Sequence, residues 1–326
     1  MLIFRTDASV NTGFGHLKRS AYLASLLKSK TGILFCVNND KVVLRFLEER
    51  NTPFRIAKET DIREIYKTGE VKGIVFDLRT FSPEDIRLLH GARENNITTV
   101  QVTDLGLSQQ PADYTIDSSI RQLFPYDEEK QVLLGPGYAL LHHKFRHFNK
   151  VNRKYRKKIK NVFISMGGAV QYRRLKRLID LLNGRGYNVK TAAGFYLKKS
   201  ERKALKRLYP RLRFVGKTDS LARPFFEADA AVITAGTAAA EAAAVGTPAL
   251  YIHYHKEQQF IAETFQKHGA GLEISNIDDV LGGRLIDILD SLTVEKRIEM
   301  GARGKKLVDG GGAPRIVNFF ESKVIV

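Results

Sequence analysis

The sequence predicts an α/β protein with two doubly wound domains, each a parallel sheet covered by helices on both faces. Two observations lead to this fold class. Short apolar strands alternate with helical stretches, and the alternation starts afresh after a basic interval at 144–160. A chain of 326 residues also exceeds one ordinary domain. We therefore expect Rossmann-like domains at 1–155 and 156–326 that face each other across a cleft, with a last helix able to cross back.

The first half opens on the strand "MLIFRTD", a glycine turn and the helical run "LKRSAYLASLLKSK", in which apolar residues recur at helical spacing. Helical stretches and short apolar strands then alternate. The predicted strands are 32–37, 73–78, 97–104 and 112–117, and the predicted helices are 40–50, 60–68 and 83–94. The second half repeats the alternation, with predicted strands at 160–168, 187–194, 212–216, 230–236 and 247–254.

Glycine turns fall at the carboxyl ends of strands in both halves, where ligands of open α/β sheets bind. The glycines are Gly13, Gly15, Gly167, Gly168 and Gly236. Glycine lets the backbone approach a ligand closely, and a helix N-terminus offers free N–H groups to an anion. The turns together predict an anionic ligand, with His16 at the mouth of the first turn. A surface histidine on a plain strand–helix turn is the alternative.

The net charge of +18 is unevenly spread along the chain. The interval between Glu129 and Asp180 contains no Asp or Glu but 14 Lys and Arg, which are densest at 144–160. A solvated linker, a patch for anionic substrates or membranes, and a nucleic-acid surface are three alternatives. We expect a surface linker with at most weak electrostatic attraction to membranes or polyanions, and no specific nucleic-acid partner.

Cys36 is the only cysteine, so neither an intrachain disulfide nor a cysteine metal site is available. His142, His143 and His147 are close in sequence, but no carboxylate accompanies them, and we expect no metal and no cofactor. No stretch reaches the roughly 18 apolar residues of a membrane span. Because the chain also starts directly in a strand, we expect a cytoplasmic protein.

Four segments carry a resemblance to a known family: "RTDASVNTGFGHLKR", "GPGYALLHHKF", "VFISMGG" and "LVDGGGAPRIV". In this order they resemble the UDP-sugar hydrolases of pseudaminic acid biosynthesis (PseG-like) and their spore-coat-polysaccharide relatives. The second half is also similar to MurG-type glycosyltransferases. The resemblance implies the two-domain GT-B fold, UDP held mainly by the second domain, and cleavage of the sugar by water at its anomeric carbon.

The resemblance also implies roles for single residues. His16 matches the catalytic histidine, and histidine ordinarily titrates near working pH. Thr234–Thr237 matches the diphosphate loop, Glu241 the acid that holds the ribose, and Val215 the backbone that reads uracil. The expected substrate-binding residues are Asp7, Gly13, Gly15, Arg19, Arg79, Tyr138, Gly167, Gly168, Val215, Thr234, Gly236, Thr237, Glu241 and Gln258.

Four positions depart from the family's pattern. Leu78 and Arg79 stand where pseudaminic-pathway members have His-Tyr, Val170 replaces an Asp, and Ala240 replaces a Trp. We therefore expect a sugar with different polar substituents, which Arg79 helps to select. A glycosyltransferase of the same fold and a non-catalytic nucleotide-sugar or polyanion-binding protein are the alternatives. The sequence leaves the oligomeric state open.

Overall fold

The computed structural model describes residues 1–9, 12–57, 69–104, 111–121, 126, 131–168, 171–216, 218–276 and 283–325. The chain divides into two compact units, which consist of Met1–Leu140 with Gly312–Val326, and of Leu141–Gly311. The expected boundary was 155/156, whereas the chain enters the second unit after Leu140. It returns to the first unit at Gly312, so the last helix belongs to the first unit.

The first unit is built on a parallel sheet of seven strands in the order β3-β2-β1-β4-β5-β6-β7. The strands are β1 (Leu2–Thr6), β2 (Ile33–Val37), β3 (Phe54–Ile56), β4 (Gly73–Asp77), β5 (Thr98–Thr103), β6 (Tyr114–Asp117) and β7 (Gln131–Leu134). Both β1 and β4 are buried along their whole length, as strands of a sheet covered on both faces must be. The strand order reverses between β1 and β4, which is the topological switch point of a doubly wound sheet.

Four described helices cover this sheet, together with a short 3-10 helix at Pro136–Tyr138. They are α1 (Gly15–Leu27), α2 (Lys41–Glu48), α3 (Pro83–Glu94) and, at the end of the chain, α12 (Gly312–Lys323). Local sequence determines where α3 begins: Ser82 and Asp85 form a reciprocal capping box around Pro83. The predicted helix at 60–68 lies outside the described residues.

The second unit has a parallel sheet of six strands in the order β10-β9-β8-β11-β12-β13. The strands are β8 (Asn161–Ser165), β9 (Asn188–Thr191), β10 (Arg213–Phe214), β11 (Ala230–Thr234), β12 (Ala249–His253) and β13 (Leu272–Asn276). The described helices are α4 (His143–Lys150), α5 (Tyr172–Gly184), α6 (Lys199–Leu208), α7 (Ala222–Glu227), α8 (Thr237–Ala244), α9 (Lys256–Lys267), α10 (Arg284–Ser291) and α11 (Val294–Leu307). This order reverses between β8 and β11, so the two units share one doubly wound plan.

The predicted fold class of two doubly wound sheets is confirmed. Each predicted strand corresponds to an observed strand, whereas β3, β7 and β13 were missed. All three lie at a sheet edge, and β3 and β7 keep partly exposed residues, which hides the apolar run that reveals a buried strand. Within the described residues, no helix is long and apolar enough to cross a bilayer.

The basic run at 144–160 is not the surface linker that the sequence suggested. Its first part forms α4, and Phe145 of α4 is buried in the second unit. The side-chain amide of Asn149 donates to the carbonyls of Ala244, Lys305 and Val308. These contacts move the boundary to Leu140, because the run is fixed on the unit that follows it.

Helix α12 closes the first unit against the segment 135–139. The Arg315 guanidinium donates to the Gly137 carbonyl at 2.7 Å. Gly312, the first residue of α12, leaves no room for a side chain, since a β-carbon there would lie 2.2 Å from the carbonyl oxygen of Ala139. Glycine is therefore required at 312 for packing.

We expect Gly312→Ala to lower the free energy of unfolding by roughly 1–3 kcal/mol, because backbone atoms on both sides must separate. Urea unfolding of the full chain measures this. Gly137→Ala is the matched control in the same contact, since its β-carbon would meet only the end of Arg315, at 3.6 Å. Equal losses in both variants would contradict the packing account.

Candidate active site

Four carboxylates lie at the carboxyl edge of the first sheet. Asp77 and Asp117 end β4 and β6, and Asp7 and Asp104 directly follow β1 and β5. These four strands are neighbours in the sheet, so their carboxyl ends form one continuous edge. Asp77 stands at the switch point, and its side chain is fully buried.

Helix α1 directs three polar side chains at Asp77. His16, Arg19 and Ser20 lie three and four residues apart and so share one face of the helix. His16 Nδ1 lies 2.7 Å from Asp77 Oδ1. Arg19 donates from Nε to Oδ2 at 2.8 Å and from Nη2 to Oδ1 at 2.6 Å, and the Ser20 hydroxyl donates to Oδ2 at 2.8 Å. Both oxygens of Asp77 therefore accept two hydrogen bonds.

The charges in this cluster fix their protonation states. Burial alone would raise the pKa of Asp77, but the Arg19 guanidinium and His16 outweigh burial and hold that pKa well below its ordinary value. Burial likewise opposes the charge of Arg19, yet Asp77 and Asp104 together raise the Arg19 pKa above its ordinary value. Arg19 Nη1 donates to Asp104 Oδ2 at 2.8 Å. Asp77 is thus an ionised acceptor and Arg19 a permanent cation.

These protonation states select one tautomer of His16. An ionised carboxylate can only accept, so the 2.7 Å contact requires a proton on Nδ1. Arg19 Nη2 also lies 3.0 Å from Nδ1, but it cannot donate there once Nδ1 carries a proton. In the neutral ring the lone pair then remains on Nε2, which no hydrogen bond reaches within the described part of the chain. His16 keeps 17% of its side chain exposed, so it can act as a proton acceptor.

The other residues expected in the first turn shape the backbone or make hydrogen bonds within the unit. Gly13 adopts a left-handed backbone with φ +82° and pairs with Ser9, and Gly15 is the first residue of α1. Asp7, expected to bind substrate, accepts two hydrogen bonds from the Arg5 guanidinium and one from the Asn38 amide.

In the second unit, the two glycine turns lie at the switch point between β8 and β11. Gly167 follows β8 with φ +75°, and a β-carbon on it would lie 3.7 Å from the Thr234 hydroxyl at the end of β11. The carbonyl of Gly168 accepts from the amides of Phe195 and Tyr196. The strand order therefore brings together two turns that are far apart in sequence. Val170 lies outside the described residues.

Helix α8 starts at the second of these turns with an uncapped N-terminus. Gly236 is its N-cap residue, and no side chain makes a capping hydrogen bond. Thr237 is the first helical residue and does not cap the helix. Glu241 lies one turn further on and is partly buried. Free N–H groups and the helix dipole make this end suitable for an anion.

Two other residues of this unit that were expected to bind substrate already use a polar group in a hydrogen bond within the protein. The Val215 amide extends the β9–β10 pairing by donating to the Thr191 carbonyl at 2.9 Å, so this amide is already engaged within the sheet. The side-chain carbonyl of Gln258 accepts from the Tyr254 amide at 2.8 Å at the start of α9. That hydrogen bond holds the Gln258 side chain over the beginning of the helix.

Tyr138 and Arg79 are the last two expected residues, both in the first unit and both partly buried. Tyr138 ends the 3-10 helix that α12 packs against. Arg79 follows Asp77 by two residues, just beyond the carboxyl end of β4. Among the residues that the structure describes, no group of His, Cys, Asp or Glu could hold a metal ion.

Three members of the site were not predicted from the sequence: Asp77, Asp104 and Ser20. The signal was present but incomplete: Arg19 and Ser20 are buried on α1 beside apolar residues, at spacings that place them with His16. Their acceptor lies 61 residues away from His16. Only the strand order, which places β4 beside β1, shows that these residues meet.

The chain is similar over its whole length to a curated bacterial protein. It is 24% identical over 329 residues to the spore coat polysaccharide biosynthesis protein SpsG of Bacillus subtilis, which covers 95% of this chain and 94% of that protein. It is also 22% identical over 321 residues to the uncharacterized protein MJ1062 of Methanocaldococcus jannaschii, with 88% of this chain and 65% of that protein covered. No family model matches the chain.

Solved structures show the fold. MurG of Acinetobacter baumannii matches with a TM-score of 0.69 at 14% identity, covering 98% of this chain and 99% of that one. Phytolacca americana UGT2, complexed with UDP-2-fluoro-glucose and pterostilbene, matches with a TM-score of 0.66 at 13% identity over 99% and 98%. S. aureus MnaA, solved with UDP, matches with a TM-score of 0.63 at 12% identity over 100% and 97%. The chain has the GT-B fold.

We expect Asp77→Asn to lower the free energy of unfolding by roughly 3–5 kcal/mol at neutral pH, because buried Arg19 loses its main counter-charge. The pKa of Asp77 is lowered in the folded protein, so its ionised carboxylate makes its full contribution to stability above the unfolded-state pKa of about 4. That contribution is lost as the pH falls below this value. The difference in the free energy of unfolding between the native and variant proteins should therefore become smaller in acid. Urea unfolding between neutral and acid pH measures it.

Glu299→Gln is the control, since this carboxylate pairs with Arg303 on an exposed face of α11. We expect its free energy of unfolding to stay within about 0.5 kcal/mol of the native value. A loss for Asp77→Asn that is small, or that grows as the pH falls, would mean that Asp77 is not the ionised partner of Arg19.

Proposed function

We propose that this protein is a nucleotide-sugar enzyme that releases UDP from a UDP-linked sugar by attack at the anomeric carbon, with water as the attacking group. The observation that carries the proposal is the hydrogen bond between His16 Nδ1 and Asp77. The fold agrees with it, because the GT-B structures above include two solved with UDP or a UDP-sugar analogue. Similarity to a spore coat polysaccharide biosynthesis protein suggests a role in making a nonulosonic acid or surface polysaccharide.

In this proposal His16 is the general base. Asp77 holds the imidazole with its proton on Nδ1, so Nε2 accepts a proton from the attacking water. As the proton arrives, the ring becomes an imidazolium beside the Asp77 carboxylate, which stabilises it. Arg19 keeps Asp77 ionised and oriented, and a positioned base of this kind contributes about 10²–10⁴-fold to a rate.

The second unit supplies the nucleotide site of the proposal. The uncapped N-terminus of α8 and the neighbouring Gly167–Gly168 turn would accept the diphosphate, with the Thr234 and Thr237 hydroxyls as further donors. Glu241, one turn along α8, would accept the two ribose hydroxyls. UDP is a stable leaving group, so helix N-termini can support its departure without a protein general acid.

Arg79 is our candidate for the residue that recognises the polar substituents of the sugar. It lies two residues beyond Asp77 and stands where the pseudaminic-pathway enzymes have an aromatic residue. A guanidinium can donate several hydrogen bonds or pair with an anionic substituent. The proposed sugar therefore differs in its polar substituents from the pseudaminic intermediate.

A glycosyltransferase is the second candidate, because MurG and UGT2 share the fold. The same histidine would then deprotonate an acceptor hydroxyl instead of water. UDP release without any acceptor favours the hydrolase, whereas release that requires an added alcohol favours the transferase. If UDP-sugars bind but are not turned over, with or without an added alcohol, the protein is a non-catalytic binding protein.

The test separates the chemical step from nucleotide binding. With a panel of UDP-linked hexoses, acetamido sugars and deoxy sugars, we expect the native chain to release UDP from at least one member. On that substrate, His16→Asn should lower the rate by about 10²–10⁴-fold while UDP affinity stays nearly unchanged. Glu241→Ala should weaken UDP by roughly 1–3 kcal/mol, because ribose hydroxyls lose their acceptor.

Calorimetry with UDP and a UDP-release assay provide both readouts. Glu263→Ala is the control for Glu241→Ala, since Glu263 is exposed on α9, where it accepts from Gln259. Turnover by His16→Asn at the native rate would remove the proposed base. UDP affinity unchanged by Glu241→Ala would remove the ribose contact and leave the base intact.

A further inference from the structure

The excess positive charge belongs almost entirely to the second unit. That unit contains 33 Lys and Arg against 16 Asp and Glu, whereas the first contains 20 against 19. The sugar chemistry proposed above does not require such an imbalance. A large part of it comes from 144–160, where basic side chains divide into an inward and an outward set.

The inward set fixes the backbone of the run on the second unit. The Arg153 guanidinium donates to the Thr247 hydroxyl at 2.9 Å and to the Ala228 carbonyl, and Arg156 pairs with Asp229 at 2.9 Å. The Tyr155 hydroxyl donates to the Gly246 carbonyl.

A buried arginine of α11 also holds the same run. Arg297 of α11 is fully buried, and its Nη2 donates to the carbonyls of Arg156 and Lys157 at 2.6 and 3.1 Å. The Lys160 amide also donates to the Asp229 carboxylate at 3.0 Å, so these contacts together make 153–160 a fixed platform.

The outward set consists of lysines on this platform. Lys154, Lys157, Lys158 and Lys160 are exposed, and in the described part of the chain their ammonium groups make no hydrogen bond or ion pair. We call these four residues the amino-edge lysine surface, because the run leads into β8 and contacts residues just before β11 and β12. The surface therefore lies at the edge of the sheet opposite to the Gly167 and Gly236 turns.

We propose that the amino-edge lysine surface docks the protein onto a bilayer that contains anionic phospholipid. Four lysines held together by a fixed backbone form a compact cationic patch, and each lysine near an anionic membrane strengthens binding by about fivefold. A lysine ammonium is a point charge without directional demands, which suits a diffuse negative surface. Docking at this edge leaves the opposite edge, with both glycine turns, uncovered.

The same contacts disfavour a nucleic acid as the partner. Single strands require exposed aromatic rings for base stacking, but Tyr155 points its hydroxyl inward, Phe145 is buried, and Phe148 packs on Phe226 with ring centroids 4.7 Å apart. Two arginines of the run, whose planar guanidinium groups could bind phosphates, already have partners in the unit. Arg153 is partly buried and bonds to Thr247 and Ala228, and Arg156, although 55% of its side chain is exposed, pairs with Asp229. Apart from Arg156, the exposed charge on 153–160 is carried by lysines.

The test is co-sedimentation of the full chain with vesicles of phosphatidylcholine, with or without phosphatidylserine, at physiological salt. We expect binding only to the anionic vesicles. Replacing Lys154, Lys157, Lys158 and Lys160 by Gln together should weaken it by a few hundredfold. The matched control replaces Lys199, Lys203, Lys206 and Lys296, four exposed lysines of the same unit, by Gln. Its net charge is the same, and its binding should fall by less than about fivefold.

Circular dichroism checks that both variants fold. Equal losses in the two variants would show that net charge alone, and not this surface, attracts the protein. Equal binding to neutral vesicles would overturn the electrostatic basis. Displacement from anionic vesicles by duplex DNA at the same phosphate concentration would identify nucleic acid as the preferred partner and overturn the proposal.

Discussion

The buried ion pair between Asp77 and Arg19 is the constraint on which the candidate active site depends. An isolated carboxylate at the end of a buried strand is unstable, because desolvation strongly disfavours its charge. Arg19 resolves this with two parallel hydrogen bonds, and Ser20 adds a third. Arg19 and Ser20 both lie on α1, so their hydrogen bonds to Asp77 also fix the rotation of this helix against β4. With the helix in this orientation, His16 Nδ1 lies 2.7 Å from Asp77 Oδ1.

The same strand order in both units explains where the candidate groups lie. In each sheet the order reverses beside the first strand, and the turns after the two central strands meet at that point. In the first unit this places His16 beside Asp77, and in the second it places Gly167 beside Thr234. One topology therefore places the proposed base in one unit and the proposed diphosphate site in the other. The amino-edge lysine surface lies at the opposite edge of the second sheet.

The fold could be predicted from the sequence because local signals determine it. The strands "GIVFD" and "AAVIT" are short, wholly apolar up to their last residue, and end at turns, which is typical of a buried parallel sheet. The edge strands "FRI" and "QVLL" were missed because they keep partly exposed residues. The glycine turns were predicted correctly at the carboxyl ends. Their meeting at the switch points followed only from strand order.

The site was harder to predict, because its contacts join residues distant in sequence. His16 was identified, yet Asp77 was not, since nothing near position 77 in the sequence shows that α1 packs there. The basic run presented the same difficulty. Its composition indicated a solvated linker, and only the acceptors supplied by Asp229, Gly246 and Thr247 reveal which of its side chains turn inward.

The central claim is that Asp77 holds the proton of His16 on Nδ1 and leaves Nε2 as the base. Nitrogen NMR of the full chain with ¹⁵N-labelled histidine tests this most directly, with His16→Asn used to assign the signals among the eight histidines. At a pH where the ring is neutral, the account predicts a protonated-type shift for Nδ1 and an unprotonated-type shift for Nε2. It also predicts that this pattern is lost in Asp77→Asn. A proton on Nε2 in the native protein would contradict it.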